Sequence, residues 1–378
     1  MRDKICFYFI DLYLFFRVMM MKKILKVEKN PLILSECWTY YKFSIIQTMP
    51  NFYPWLTNHI KVYLDKNGNA IFGENGSMYP LSYFFDILNV YDGNLMSVSK
   101  KEIVNYLIRL IDSGTYVILD LNYQLINGES EPPFWPHETL IYGYDSDTQD
   151  FITSVLADGY FKESRISFSR LEKAYGDIKN YYNEDKNRLF NRRIWYYGIT
   201  CITPNLQYKN TNAYYDLINK LKWELNGSVF NKYNLINKEE QQEGYLYVTG
   251  VACLLYMSEL LKEMIERKDN SVANIEKFKK SCTKIYENQH IIYNLIEWFI
   301  NTQNISNNKL NDLSSMYQKC CNRMLMNVRR FYKYQQKNND ILLEKIIYDL
   351  KDLHLCEKKI LEQIIEQIQL LCIEFFKK

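Results

Sequence analysis

The sequence predicts a two-part chain, an α+β domain in which a leading helix packs on a largely antiparallel sheet, followed by an all-α helical bundle. Up to about residue 205, short apolar runs alternate with turn signals and helical stretches. From residue 206 onward, every periodic stretch has apolar residues at the i, i+3, i+4 spacing of a helix. At 378 residues the chain is long enough for two domains with separate cores. We therefore expect domains at 21–205 and 206–378.

The first twenty residues do not read like the start of a domain. The apolar run "ICFYFIDLYLFF" (5–16) is interrupted by Asp11, is too short to span a bilayer and is not followed by a small-residue cleavage site. "MMMKK" (19–23) offers another start at Met21. We expect residues 1–20 to be an extension from a start site placed too early, with an added helix or a membrane-tethering segment as the alternative.

The first domain is predicted to begin with a helix over 37–48, which Ser35 can cap and Pro50 ends. Gly114 ends a second strongly periodic stretch at 100–114. Further helices are predicted over 82–91 and 167–177, and strands over 59–65, 116–123, 138–145, 151–161 and 193–204.

The second domain is predicted to be a bundle whose apolar stripes form its core. Ile360, Ile364 and Ile368 show the helical spacing in the last segment. The predicted helices cover about 211–225, 246–267, 273–302, 308–336, 340–353 and 357–376. Such stripes are far more often core than ligand site, so we assign no catalytic role to this half.

Composition argues against several classes of partner. Lys and Arg total 47 against 44 Asp and Glu, a net charge of +3, so no surface for nucleic acid is indicated. Beyond the N-terminal run, no stretch is apolar enough to cross a membrane. The nine cysteines include no Cys-x-x-Cys pair, and the four histidines stand at no metal-ligand spacing. We expect a reduced, cytoplasmic protein with no bound metal or cofactor and no nucleic-acid or membrane partner.

Cys37 is the candidate nucleophile, because in "SECWTYY" (35–41) it stands where the first helix begins. The helix dipole stabilises a thiolate there, and the unpaired N–H groups of the first turn can stabilise an oxyanion. A single cysteine on an apolar helix is more often an inert structural thiol. A catalytic role for Cys37 therefore requires a base within hydrogen-bond reach.

His137 is the candidate base. It opens the strand "HETLIYGYD" (137–145) and follows the loop "EPPFWP" (131–136), which can wall a cleft and suggests an apolar or planar part of the substrate nearby. A structural or solvated histidine is the alternative. The order of the elements supports a catalytic role for Cys37 and His137 together. A cysteine helix followed by antiparallel strands that carry a histidine is the papain-like order.

Asp158 is the candidate orienting residue. If the hairpin turns at residues 147–148, position 137 pairs with about 158, which places Asp158 opposite His137 with Ser154 on the same side. Asp158 precedes Gly159, so a plain turn residue is the alternative.

Several motifs together resemble the N-terminal domain family of butirosin biosynthesis protein H, which is similar to the C39 bacteriocin-processing peptidases. The resemblance covers roughly residues 25–205. It is carried by Cys37 at a helix start and by "FYPWLTNHIKVYL" (52–64), "HETLIYGYDSDTQDF" (137–151) and "ISFSRLEKAY" (166–175). It implies a papain-like, C39-like cysteine protease fold, with Cys37 as nucleophile and His137 as base.

The resemblance also implies chemistry on natural-product intermediates, in which an acyl or peptidyl group passes from the phosphopantetheine thioester of a carrier protein to an amine. Two departures from the family pattern stand out. Pro31 occupies the position where C39 peptidases carry an oxyanion-donating glutamine, and Ser154 and Val155 stand where an acidic residue is expected.

Three functions are compatible with these features. The first is acyl transfer from a carrier-protein thioester to a small-molecule amine through a Cys37 thioester, as in antibiotic biosynthesis of the nonribosomal-peptide type. The second is hydrolysis, as a peptidase or amidase with the same two residues. The third is a catalytically silent cleft that binds a carrier-bound peptide or partner. We expect the first.

Overall fold

The computed structural model describes residues 22–73, 84–94, 97–127, 134–157, 160–185, 187–188, 198–227, 229–232, 245–303 and 308–376. Its strands, numbered in chain order, are β1 (Lys22–Ile24), β2 (Lys61–Asp65), β3 (Ala70–Gly73), β4 (Leu88–Asn94), β5 (Tyr116–Asn122), β6 (Pro136–Asp145), β7 (Asp150–Ala157), β8 (Tyr160–Ser167), β9 (Gly198–Pro204), β10 (Val229–Lys232) and β11 (Tyr245–Thr249). Its helices are α1 (Cys37–Ile46), α2 (Phe52–Leu56), α3 (Ile103–Asp112), α4 (Gln124–Asn127), α5 (Phe168–Glu184), α6 (Ala213–Asn226), α7 (Ala252–Glu266), α8 (Val272–Thr302), α9 (Asn308–Lys337) and α10 (Ile341–Phe376). The predicted extension over 1–20 lies outside the described residues.

The chain divides into two compact units, and the first comprises residues up to 49 together with 84–207. Its sheet has the strand order β4-β9-β5-β6-β7-β8, with β1 paired to the far half of β6, and every pairing is antiparallel. This confirms the predicted antiparallel sheet. The hairpin β6–β7 turns at 146–149, as the polar run "SDTQ" predicts.

Helices α3 and α5 cover one face of this sheet. On α3 the buried residues Ile103, Leu107 and Ile111 recur every four positions and form a single apolar stripe. They pack in one core with alternate residues of β5, such as Leu119 and Leu121, and with the buried side of α5. The helix predicted over 167–177 is present as α5, and the Ser167 side chain caps it by accepting a hydrogen bond from the Arg170 backbone N–H.

Helix α1 lies on the opposite face of the sheet. The Tyr40 ring stacks on Phe161 with centroids 3.7 Å apart, and the Ser154 hydroxyl bonds the Tyr40 hydroxyl at 3.3 Å. Ser154 alternates along β7 with Thr153 and Val155, and Val155 belongs to the core beneath α3 and α5. Every residue of α1 from 39 to 46 is buried, so this helix needs no polar face.

Two predicted helices of the first unit need correction. The stretch 82–91 was expected to be a helix, but residues 88–94 form β4, which pairs along its whole length with β9. The spacing of its apolar residues fits either element over so short a run, and the pairing with β9 decides between them. Helix α5 is also longer than predicted, since it continues past 177 to Glu184.

The second unit comprises residues 50–83 and 208–378, so the division differs from the predicted boundary after 205. The C-terminal helical region is present, but the unit is not all-α, because it contains an antiparallel sheet of order β10-β11-β2-β3. Strand β2 comes from the first half of the sequence and pairs with β11 from the second, for example Tyr63 with Thr249. A pairing across so many residues leaves no trace in local periodicity.

The predicted helix over 246–267 is divided into β11 and α7 by a tight turn. Gly250 lies in this turn with φ 58°, and a side chain there would meet the Glu224 backbone carbonyl. The predicted helices over 340–353 and 357–376 are instead one continuous helix, α10. None of the helices in the described residues is long and apolar enough to cross a membrane.

Candidate active site

The backbone at Cys37 has the predicted form, since Cys37 is the first residue of α1. Glu36 is the N-cap residue in place of the predicted Ser35. The Glu36 side chain makes no capping hydrogen bond to the described backbone; its carboxylate instead accepts from the Thr39 hydroxyl at 3.1 Å. The Glu36 side chain therefore leaves the N–H groups of the first turn for other acceptors. The Cys37 side chain lies outside what the structure describes, so its contact with His137 stays a prediction.

His137 packs against two aromatic rings near the start of β6. Its side chain is 10% exposed, and its ring centroid lies 4.7 Å from that of Tyr123 and 5.0 Å from that of Trp135. Its Nδ1 lies 3.0 Å from the Glu138 backbone oxygen and 3.5 Å from Glu138 Oε2. Both oxygens can only accept, so Nδ1 carries the proton, and Nε2 keeps the lone pair that a general base needs.

Glu138 is the functional candidate that the sequence reasoning missed. Its side chain is 8% exposed, and its carboxylate contacts the ring nitrogen of the preceding residue. Successive residues of a strand face opposite ways, so a direct sequence neighbour is not the expected partner. The contact is possible because His137 lies almost at the end of its strand. The dipeptide His-Glu itself was the only available signal.

Helix α1 docks against the same peptide. The Tyr41 hydroxyl donates a 2.9 Å hydrogen bond to the Glu138 backbone oxygen, which also contacts His137 Nδ1. Position 37 lies one helical turn before Tyr41, and residues four apart share a helix face. Helix α1 is therefore attached, one turn after position 37, to the peptide oxygen that also contacts His137.

The register of β6 with β7, on which the prediction for Asp158 depends, differs by one residue from the predicted register next to Leu140. The register of β6 and β7 shifts at an irregularity between Ile141 and Gly143, so that Leu140 pairs with Ser154. Continued to His137, this register meets position 157 instead of 158. Paired residues share a face, so Ser154 lies on the side of Glu138, not of His137, which corrects the prediction. Residue 158 itself lies outside the described residues.

The irregularity has a local cause at Gly143. Strand β1 passes so close that a side chain on Gly143 would lie 2.9 Å from the Lys23 backbone oxygen. Only glycine allows that approach, and bulges commonly form where the backbone makes such contacts. An extra residue on β6 then displaces the register by one.

The Pro31 loop is attached to the far end of α1. Pro31 is buried, and the following Leu32 N–H donates to Gln47 Oε1 at 3.0 Å. Gln47 is the C-cap residue of α1, a helix length away from Cys37. This glutamine therefore does not replace the missing oxyanion donor, and the backbone N–H groups of the first turn are the remaining candidates.

A cavity of about 270 Å³ lies beside α1 on the Ser154 side of the sheet, lined in part by Tyr40, Tyr142 and Glu163. The Glu163 carboxylate, which lines this cavity, already has two partners. The Lys29 ammonium, 3.0 Å away, and the Tyr142 hydroxyl, 2.9 Å away, hold the pKa of the Glu163 carboxyl below its usual range. Glu163 is therefore a paired carboxylate and not a second acid for catalysis.

A second depression is a surface groove of about 440 Å³. It is lined by Phe134, Asp177, Asn180, Tyr181, Glu184 and Arg188. Phe134 precedes Trp135, whose ring contacts His137, so the groove includes a residue three positions before the candidate base. We call it the Phe134 groove.

No protein-family model matches this chain, and no curated protein matches it. Among the described residues, no group of three or more His, Cys, Asp or Glu side chains is arranged to hold a metal ion.

Proposed function

We propose that this chain is an acyltransferase that moves an acyl or peptidyl group from a carrier-protein thioester to an amine through a Cys37 thioester. The sequence resemblance to the butirosin biosynthesis protein H family suggests this reaction. The observation that carries the proposal is the hydrogen bond from the Tyr41 hydroxyl of α1 to the Glu138 backbone oxygen, which also contacts His137 Nδ1. Tyr41 lies one helical turn after position 37. This shared oxygen supports the proposal, which further requires the Cys37 thiol and the His137 imidazole to lie within hydrogen-bond reach of each other.

On this route the Cys37 thiolate attacks the carbonyl carbon of the donor, and the bond from that carbon to the pantetheine sulfur breaks. His137 takes the thiol proton at Nε2 and returns it to the departing sulfur. The amine then attacks the Cys37 thioester and forms the amide bond. The Cys37 sulfur leaves and regains a proton, which passes from the amine through His137.

Transfer is favoured over hydrolysis by the surroundings of the base. His137 is buried, and its ring packs against the rings of Tyr123 and Trp135. Such walls limit the access of water to an acyl-enzyme, and a bound amine gains from positioning what water lacks. Hydrolysis by the same residues is the competing outcome that the experiment must separate.

The test is intact-protein mass spectrometry after incubation with acyl-carrier thioesters. We expect a mass increase equal to the acyl group, absent in Cys37→Ala and formed about 10²–10⁴ times more slowly in His137→Ala. Cys372→Ala, which removes a half-buried thiol from the second unit, is the matched control and should acylate normally.

Discharge of the adduct then separates the functions. Amines should release it as an amide faster than water does. Release by water alone, at a rate that amines do not change, would indicate a hydrolase. If no carrier-bound thioester or peptide produces an adduct, the transferase proposal is wrong, and a silent binding cleft is the better interpretation.

A further inference from the structure

We propose that the Phe134 groove binds the acceptor amine in its cationic form, and that the acceptor carries a planar apolar part. This inference rests on the proposed acyl transfer, whose acceptor it describes. The groove, its aromatic wall and its carboxylates all lie on described residues of the first unit, beside the candidate base.

The wall of the groove suits a planar group. The Phe134 and Tyr181 rings pack with centroids 4.7 Å apart, and both line the groove. The Arg188 guanidinium lies 4.3 Å from the Tyr181 ring centroid and forms the opposite end of this surface. A volume of about 440 Å³ is within the ordinary range for small-molecule sites.

The charge of the groove favours a cation. Among the described residues that line it, Asp177 and Glu184 carry carboxylates and Arg188 carries a positive charge. Arg188 is already engaged, because its Nη1 donates to the Tyr181 backbone oxygen at 3.1 Å and to Glu184 at 3.3 Å. The Arg188–Glu184 pair is neutral overall, which leaves the Asp177 charge to attract a cation.

Asn122 supplies an independent indication beside Asp177. Its side-chain N–H donates to Asp177 Oδ2 at 3.0 Å. Its Oδ1 is buried and accepts no hydrogen bond from any residue that the structure describes, although a buried acceptor normally has a donor. A primary ammonium brings three N–H donors. One seated on Asp177 can therefore also supply the donor that Oδ1 lacks, once the Asp177 side chain turns to admit it.

The position of the groove links binding to chemistry. Asn122 pairs with Pro136 and Leu121 with His137 across β5 and β6, so the Asn122–Asp177 pair lies one residue along the sheet from the base. An amine is mostly protonated at neutral pH and must lose a proton before it attacks a thioester. An ammonium held at Asp177 is thus delivered beside the imidazole that can remove this proton.

The test compares two probes of the same shape, 2-phenylethylamine and the uncharged 2-phenylethanol, by calorimetric titration of the full-length unacylated protein. We expect the amine to bind roughly tenfold more tightly than the alcohol, as for a charge-assisted contact in a partly exposed site. Asp177→Asn should abolish this preference, and Tyr181→Leu should weaken both probes. Glu172→Gln, which removes a carboxylate from the same helix outside the groove, is the matched control.

Equal binding of the two probes, or a preference that survives in Asp177→Asn, would overturn the proposal. If Asp177→Asn does not fold, the salt dependence of the wild-type preference decides, because an electrostatic preference must fall as ionic strength rises.

These binding results do not depend on acyl transfer. An acyl-enzyme whose discharge by 2-phenylethylamine is unaffected by Asp177→Asn would overturn the groove and leave the transferase function intact. Cation-selective binding without any acyl-enzyme would support the groove and overturn the transferase.

Discussion

At the scale of single residues, the candidate base is defined by what surrounds it. The two oxygens of Glu138 that face His137 Nδ1 determine which ring nitrogen carries the proton, and the rings of Tyr123 and Trp135 fix the plane of the imidazole. Orientation and tautomer are the two properties that a third residue usually supplies to a catalytic histidine. Glu138 supplies them here from within the same strand.

We therefore predict that Glu138→Gln slows acylation of Cys37 by about tenfold, while the melting temperature changes little. The amide keeps an acceptor oxygen near Nδ1 but loses the charge that stabilises an imidazolium. The measurement is the rate of adduct formation by intact mass spectrometry. Glu163→Gln removes a carboxylate paired with Lys29 and Tyr142 on the same sheet, and it should acylate at the wild-type rate. Equal rates in all three proteins would show that the Glu138 carboxylate has no role.

At the scale of elements, the site depends on the docking of α1 against β6. The Tyr41 hydroxyl makes a buried hydrogen bond to the Glu138 backbone oxygen. The next residue, Lys42, is 2% exposed, and its ammonium lies 5.5 Å from the centroid of the Phe84 ring. A helix that is buried on every side has no freedom to shift without breaking such contacts.

We predict that Tyr41→Phe lowers the free energy of unfolding by about 1 kcal/mol, the usual effect of removing one buried hydrogen bond. It should also slow acylation, because the face of α1 that carries position 37 is no longer attached to the His137 peptide. Urea unfolding and adduct formation measure the two effects. Tyr40→Phe is the control: it loses hydroxyl contacts to Ser154 and Lys29 instead, so acylation should be retained. A Tyr41→Phe protein that acylates at the wild-type rate would contradict the role of this contact.

Elements with strong local signals could be predicted from the sequence, and those set by distant pairing could not. The helix at Cys37, the strand that carries His137 and the cap at Ser167 follow from caps, periodicity and turn residues. The predicted register of β6 with β7 was wrong by one residue at Leu140, because the close approach of β1 to Gly143 is a tertiary event. Strand β4 was read as a helix for the same reason, since its pairing with β9 decides its conformation.

At the scale of the whole chain, the second unit has a polar interior that local periodicity did not indicate. Glu357 of α10 accepts from the Tyr317 hydroxyl at 2.7 Å and from the Gln289 side chain at 2.6 Å. The pKa of this carboxyl is raised to about 7, chiefly by burial and also by the neighbouring Glu224 carboxyl, against the lowering effect of the two hydrogen bonds. The other titratable groups that interact with Glu357 are the thiols of Cys253, Cys320 and Cys321 and the Tyr317 hydroxyl.

This shift gives the stability of the chain a defined pH dependence. The folded state holds the Glu357 proton up to about pH 7, whereas the unfolded chain releases it near the ordinary glutamate value of 4.5. The stabilisation is therefore fully present below the unfolded value and is lost as pH rises through the folded value. A difference of this size corresponds to roughly 3 kcal/mol.

We predict that Glu357→Gln removes this pH dependence. The new amide carries no charge at any pH. If the Gln289 amide turns over, the N–H of the new amide can donate to Gln289 Oε1, which accepts no hydrogen bond from the described residues. Helix melting by circular dichroism at 222 nm should show similar midpoints for the two proteins near pH 5. At pH 8 the wild type should melt roughly 5–10 °C below Glu357→Gln, the shift expected for a unit of this size.

Glu362→Gln, at an exposed position of the same helix, is the control and should follow the wild type at both pH values. If the Glu357→Gln and wild-type midpoints change in parallel between pH 5 and pH 8, Glu357 does not hold its proton in the folded state. The polar interior of the second unit would then contain a paired carboxylate instead of a neutral acid.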